Sequence, residues 1–114
     1  MAGVTEYVPE RGHVVWLDFD PQAGHEQAGR RPALVLSPRV FNERTGLFLV
    51  CPITNRAPRY QFEVQVPQNV GVTGVILSAH VKSLDWRVRR ADYICEMPRQ
   101  TVAETLGRVS ALLR

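Results

Sequence analysis

Two adjacent guanidinium groups, Arg30 and Arg31, stand where a polar, glycine-punctuated loop meets an apolar run. The segment reads Glu26-Gln27-Ala28-Gly29-Arg30-Arg31-Pro32-Ala33-Leu34-Val35-Leu36-Ser37. Arginine carries a permanent charge on a planar fork that matches phosphate oxygens. A loop anchored on a stiff strand is a usual place for groups that bind or react. From chemistry alone, a solvated loop with two surface arginines fits equally well.

Composition narrows the partners. The chain has 114 residues, is 45% hydrophobic and carries a formal net charge of +3. That length suits one domain, residues 1–114, with a single modest core. No apolar run approaches the ~20 residues of a membrane span. Residues 1–12 lack the charged-then-apolar pattern of a secretory signal, so the expected compartment is the cytoplasm. Lys82 is the only lysine, and arginines cluster at Arg30-Arg31, at Arg56 with Arg59, and across residues 82–90. Such a surface is compatible with nucleic acid. Cys51 and Cys95 sit in apolar, strand-like settings without a C-x-x-C spacing, as expected of two buried thiols in a reducing compartment. His13, His25 and His80 show no metal-ligand spacing. No phosphate loop, dinucleotide fingerprint or nucleophile elbow is present, so catalysis is expected to need no cofactor and no metal.

The elements that must position these groups are mostly strands. Residues 13–19, 33–37 and 47–54 are β-rich or continuously apolar, and residues 62–66 alternate Phe62, Val64 and Val66 with Glu63 and Gln65. Residues 74–77, 80–84 and 93–95 predict three more strands, with a bend at Ser78-Ala79. A short helix is expected over 38–44. A clear one is expected over 98–113, with Val102, Leu106, Val109, Leu112 and Leu113 along one face. Pro98 suits its first turn, and Gly107 makes it depend on packing. Short strands at this spacing imply a small, mostly antiparallel, barrel-like sheet.

Four segments in order carry a resemblance that no one of them would carry alone. They are Val15-Trp16-Leu17-Asp18-Phe19-Asp20-Pro21, the Glu26–Ser37 segment, Cys51-Pro52-Ile53-Thr54, and Val81-Lys82-Ser83-Leu84-Asp85-Trp86. In this sequence and at these separations the chain resembles the MazF/PemK family of bacterial toxin endoribonucleases, from about Tyr7 to the C-terminus. The resemblance implies an α+β fold, a small SH3-like antiparallel β-barrel with a C-terminal helix, and a two-fold homodimer. It also implies a ribosome-independent, metal-independent cut in single-stranded RNA at a short sequence. The expected products are a 2′,3′-cyclic phosphate and a 5′-hydroxyl. Cellular mRNA would be the main target and growth arrest the outcome. A cognate antitoxin protein would neutralise the enzyme with a disordered acidic-hydrophobic tail that folds on it. Operator DNA would be met only through the antitoxin complex, and no membrane is involved.

Cutting RNA without a metal requires that the 2′-hydroxyl lose a proton, that the leaving 5′-oxygen gain one, and that charge on phosphorus be stabilised. By resemblance Arg31 is the charge-stabilising catalytic arginine and Thr54 the catalytic threonine, whose hydroxyl can donate to a phosphoryl oxygen. Glu26 could act as general base or could orient Arg31 by ion pairing. Many relatives place an acidic residue followed by glutamine shortly before the Val81-Lys82-Ser83 segment. This chain has Ala79-His80 there. Histidine as a residue type suits acid–base work near neutral pH, so His80 could substitute, or could be a polar sheet residue or an RNA contact. Phe19 is a candidate stacking platform. Gln27, Arg30, Asn55, Arg56 and Lys82 are candidate base or phosphate contacts. Trp16 is expected to pack in the barrel or line a partner groove, and Trp86 to lie in the core. Two rivals share the fold: a gyrase-poisoning toxin that cleaves nothing, and an inactive relative that binds only antitoxin or operator DNA. Intact Arg31 and Thr54 oppose the first. Ala79 keeps the second open.

Overall fold

Alternation along the strands gives this chain two cores, one on each side of a sheet. The computed structural model describes residues 6–19, 29–56 and 62–114. Seven strands are present: β1 (His13–Asp18), β2 (Arg30–Val35), β3 (Leu47–Thr54), β4 (Glu63–Gln65), β5 (Val75–Leu77), β6 (Lys82–Asp85) and β7 (Asp92–Glu96). Helix α1 spans Arg39–Thr45 and α2 spans Arg99–Ala111. All pairings are antiparallel, in the order β4-β5-β3-β2-β1-β7, with β6 also on β3.

Val14, Leu34, Cys51 and Ile53 face one core, together with Val64, Ile76, Met97 and Val102. Their chain neighbours Val15, Ala33, Val35, Phe48 and Val50 face the other, with Val8, Leu17, Phe19 and Trp86. Burial on both faces is why residues 33–35 and 50–53 read as continuous apolar runs. Trp86 is in the core as expected, and its Nε1 donates to the Asn42 carbonyl at 2.8 Å. Asn42 is fully buried and satisfied: its Nδ2 donates to the Pro9 and Ser37 carbonyls, and its Oδ1 accepts from Ser37 Oγ at 2.6 Å. This polar knot ties α1 to the strand ends without leaving an orphaned amide.

Seven antiparallel strands and two helices make the expected α+β fold, with a sheet that is not closed into a full barrel among the described residues. Among the described residues β4 and β7 pair on one side only. The loop before β5 fills the gap by packing instead. Val70 and Val72 rest on the first core, and a Cβ on Gly71 would sit 2.9 Å from Cys95 Cβ. The β1–β7 register shifts between Val14 and Val15, leaving Ile94 as the extra residue on β7.

The bend expected at Ser78-Ala79 is one turn of 3-10 helix, Ser78–His80. It interrupts what is otherwise one long strand. β5 pairs with the C-terminal end of β3, and β6 with its N-terminal half.

Helix α2 departs from the expected stripe. Thr101, Val102 and Thr105 are buried, whereas Leu112 is 42% and Leu113 82% exposed. The helix ends at Ala111, so the last two leucines leave the buried face. Thr105 tolerates burial because its hydroxyl donates to the Thr101 carbonyl at 2.9 Å. The cysteines are both free; Cys51 is buried, while Cys95 is only partly so. Burial pushes the Cys51 thiol up to about 12 and raises Cys95 as well. Among the described residues no helix is long and apolar enough to cross a membrane.

Candidate active site

The ladder between β2 and β3 stops where the candidate residues lie. β2 begins at Arg30, three residues earlier than the apolar run suggests, and passes through Pro32. It pairs with β1 through Leu17↔Arg31 and Asp18↔Arg30. Its ladder with β3 reaches only Ala33↔Pro52. Pro32 has no N–H to donate to the Ile53 carbonyl, the bond that would next extend that ladder. Carried two residues further, the same register sets Arg31 across from Thr54 on one face of the sheet. Lys82, opposite Val50, shares that face. Arg31 and Thr54 are half-buried and Lys82 is exposed. Among the described residues neither cation has a carboxylate partner.

Thr54 is held from two sides. Its Oγ1 accepts from the Arg56 backbone N–H at 3.0 Å, which leaves the hydroxyl proton to be donated. On the other side lies Gly74, at φ +117. A Cβ there would stand 2.4 Å from the Thr54 carbonyl oxygen. Gly74 therefore permits the close approach that seats the end of β3. Asn55 Oδ1 accepts from Thr73 Oγ1 at 3.2 Å. The sequence reading passed over Gly74; its one signal was a glycine at the threshold of a strand.

Arg30 has a different fate from its neighbour. Its Nη1 donates to Asp18 Oδ1 at 2.8 Å and its Nη2 to the Arg90 carbonyl at 2.7 Å. Arg90 Nε donates to Asp18 Oδ2 at 2.7 Å. Bonding to Arg90 and then to Arg30 holds the Asp18 carboxyl below the usual carboxylate range. The guanidinium proposed for RNA contact at position 30 is thus already engaged. Phe19 is 8% exposed and packs with Val8, Leu17 and Trp86. In this arrangement its ring is core rather than an open stacking face. Trp16, by contrast, is exposed at 42% beside Pro32.

Arg56 is exposed beside Thr54, and His80 is exposed in the 3-10 turn that runs along β3 near Pro52. Glu26 and Gln27 lie outside the described residues. Register and strand alternation therefore assign Arg31, Thr54 and Lys82 to one face of the sheet and Arg30 to the other.

The sequence profile of the PemK-like, MazF-like toxins of type II toxin–antitoxin systems matches residues 10–113. This chain belongs to that family. The endoribonuclease toxin MazF of Escherichia coli strain K12 is 49% identical over 88 residues, 77% of this chain and 78% of the relative. The crystal structure of Deinococcus radiodurans MazF superposes with a TM-score of 0.86 at 56% identity, covering 95% of this chain and 98% of that one. A MazE–MazF complex from the same organism gives 0.83 at 50% identity, covering 95% and 97%. Among the described residues of this PemK/MazF-like toxin, no three His, Cys, Asp or Glu side chains gather at one point.

Proposed function

We propose that this PemK/MazF-like toxin is a sequence-specific endoribonuclease that cuts single-stranded RNA with the RNA's own 2′-hydroxyl as nucleophile. The observation that carries the reading is the β2–β3 register, which, continued two residues past Ala33↔Pro52, sets Arg31 against Thr54 with Lys82 on the same face. The naming of the E. coli relative as an endoribonuclease toxin supports it.

In the reaction the 2′-oxygen forms a bond to the adjacent phosphorus and the bond from phosphorus to the 5′-oxygen breaks. A base takes the 2′-proton and an acid supplies one to the leaving oxygen, leaving a 2′,3′-cyclic phosphate and a 5′-hydroxyl. Arg31 stabilises the charge that builds on the phosphoryl oxygens. Guanidinium does not give up its proton in proteins, so its role is electrostatic. Thr54 donates its hydroxyl hydrogen to a phosphoryl oxygen and fixes its position. Glu26 is the proposed base or the partner that orients Arg31, and His80 is the alternative base. Lys82, Arg56 and Asn55 contact the strand, with Gln27 from the preceding loop. Phe19 takes part in stacking only if its ring leaves the core.

The toxin works as a homodimer in the bacterial cytoplasm. A cognate antitoxin blocks the same basic face, a partnership supported by the MazE–MazF complex of D. radiodurans.

Sequencing the 5′ ends of long RNA after incubation with purified protein in excess EDTA tests the reading. Cleavage at one short motif is expected, and a 2′-deoxy sugar at the scissile position should block it. Activity that vanishes on chelation and returns with Mg²⁺ would overturn the mechanism.

A further inference from the structure

We infer that Asp18, Arg30 and Arg90 form a clamp that positions Arg31 for RNA cleavage, with Asp18 and Arg90 as positioning residues. The inference rests on the endoribonuclease reading above. The Asp18 carboxylate gives one oxygen to each arginine, Oδ1 to Arg30 at 2.8 Å and Oδ2 to Arg90 at 2.7 Å. Arg30 Nη2 closes the ring on the Arg90 carbonyl at 2.7 Å. The Asp18 N–H donates to the Arg89 carbonyl at 2.9 Å, and Arg89 Nη1 returns a bond to the Asp18 carbonyl at 3.3 Å. Residue 30 is therefore tied both to the end of β1 and to the turn before β7. Arg31 follows it directly, so its backbone is fixed before substrate arrives. A guanidinium placed in advance loses less freedom when it meets the phosphoryl group.

A second observation is independent of these bonds. Arg90 has φ +55, in the left-handed region that glycine occupies freely and an L side chain does not. The turn is complete without the guanidinium. Asp85 Oδ1 caps the N–H groups of Arg87 and Val88, the Arg89 N–H donates to the Asp85 carbonyl, and the Ala91 N–H donates to the Trp86 carbonyl. The Arg90 side chain is 69% exposed, where an ion pair adds little to stability. What the arginine supplies at this strained position is its grip on Asp18.

The test compares Arg90→Gly, Arg90→Lys and Asp18→Asn on a fluorogenic single-stranded RNA whose cleavage site has been mapped by end sequencing. Arg90→Gly is expected to hold or raise Tm, lower kcat ~10-fold and leave KM within about twofold. Asp18→Asn should match its kcat. Arg90→Lys, which keeps a cation beside Oδ2, should recover much of the loss. In an Arg31→Ala background Arg90→Gly should cost nothing further, because the clamp acts through Arg31. An unchanged kcat in Arg90→Gly would overturn the clamp, and would leave the nuclease reading standing if Arg31→Ala is dead. A raised KM with unchanged kcat and a shallower salt dependence would make Arg90 a phosphate contact, and so would overturn it too. Wild-type protein that leaves RNA intact would end both readings.

Discussion

Arg30 and Arg31 are adjacent in the chain and project to opposite faces of β2. Arg30 pairs with Asp18 at 2.8 Å, whereas Arg31 stands opposite Leu17 on the face that leads to Thr54. Substituting the two should therefore have different consequences.

Arg31→Ala is expected to lower the cleavage rate ~10²-fold or more, the scale of losing one preorganised charge-stabilising donor. Folding should survive, since the side chain is only half-buried and makes no ion pair among the described residues. Rates on mapped RNA, alongside a melting curve, check both halves. A folded Arg31→Ala protein that cuts at wild-type speed would remove Arg31 from the chemistry.

Gly74→Ala places a methyl group 2.4 Å from the Thr54 carbonyl oxygen, on backbone already at φ +117. The end of β3 must shift. A loss of ~2 kcal/mol is expected by denaturant titration, as for overpacked sites. Activity per folded molecule should fall as well, because Thr54 is the residue displaced. Wild-type cleavage by the folded fraction would show that the seat of Thr54 tolerates movement.

Stability should sense acid through Asp18. Its carboxyl titrates below the ordinary range because Arg90 and Arg30 bond the charged form. The folded value lies below the unfolded one, so the contribution is present above the unfolded pKa of ~3.9 and is lost as pH falls through the folded value. Melting temperatures of wild type and Asp18→Asn should differ by a small, constant amount from neutral pH down to ~5, small because the pair is exposed, and converge at lower pH. A gap that stays constant down to strong acid would mean that the ion pair does not set the shift.

Leu113 is 82% and Leu112 42% exposed at the end of α2. We expect this apolar end to take part in an isologous two-fold contact. Sedimentation equilibrium should give a dimer at micromolar concentration, weakened by Leu113→Glu. A monomer of 12.9 kDa across the concentration range would refute the dimer.

Much of this molecule follows from local pattern. The period-two and continuous apolar runs located β2, β3 and β4, because a strand shows which of its faces are buried. The run 47–54 matched β3 residue for residue. Pro38 and Pro98 marked both helix starts through their missing N–H groups. The four spaced motifs pointed to the toxin family. Tertiary contacts decided the rest. No local pattern separates Arg30 from Arg31, since the partner that claims one of them, Asp18, comes from another strand. Phe19 stands at a loop mouth in sequence, yet it is buried in a core cluster with residues as distant in sequence as Val8 and Trp86. The α2 stripe overran its helix because hydrophobicity marks an apolar side without saying where the packing surface ends. Among the described residues the sheet is not closed, and Val70, Val72 and Gly71 pack on its core and on Cys95 instead; the strand pattern does not encode closure. Residue type and spacing set the chemistry available to this chain. Which groups are used up in holding the fold, and which remain for substrate, depends on neighbours that only folding brings together.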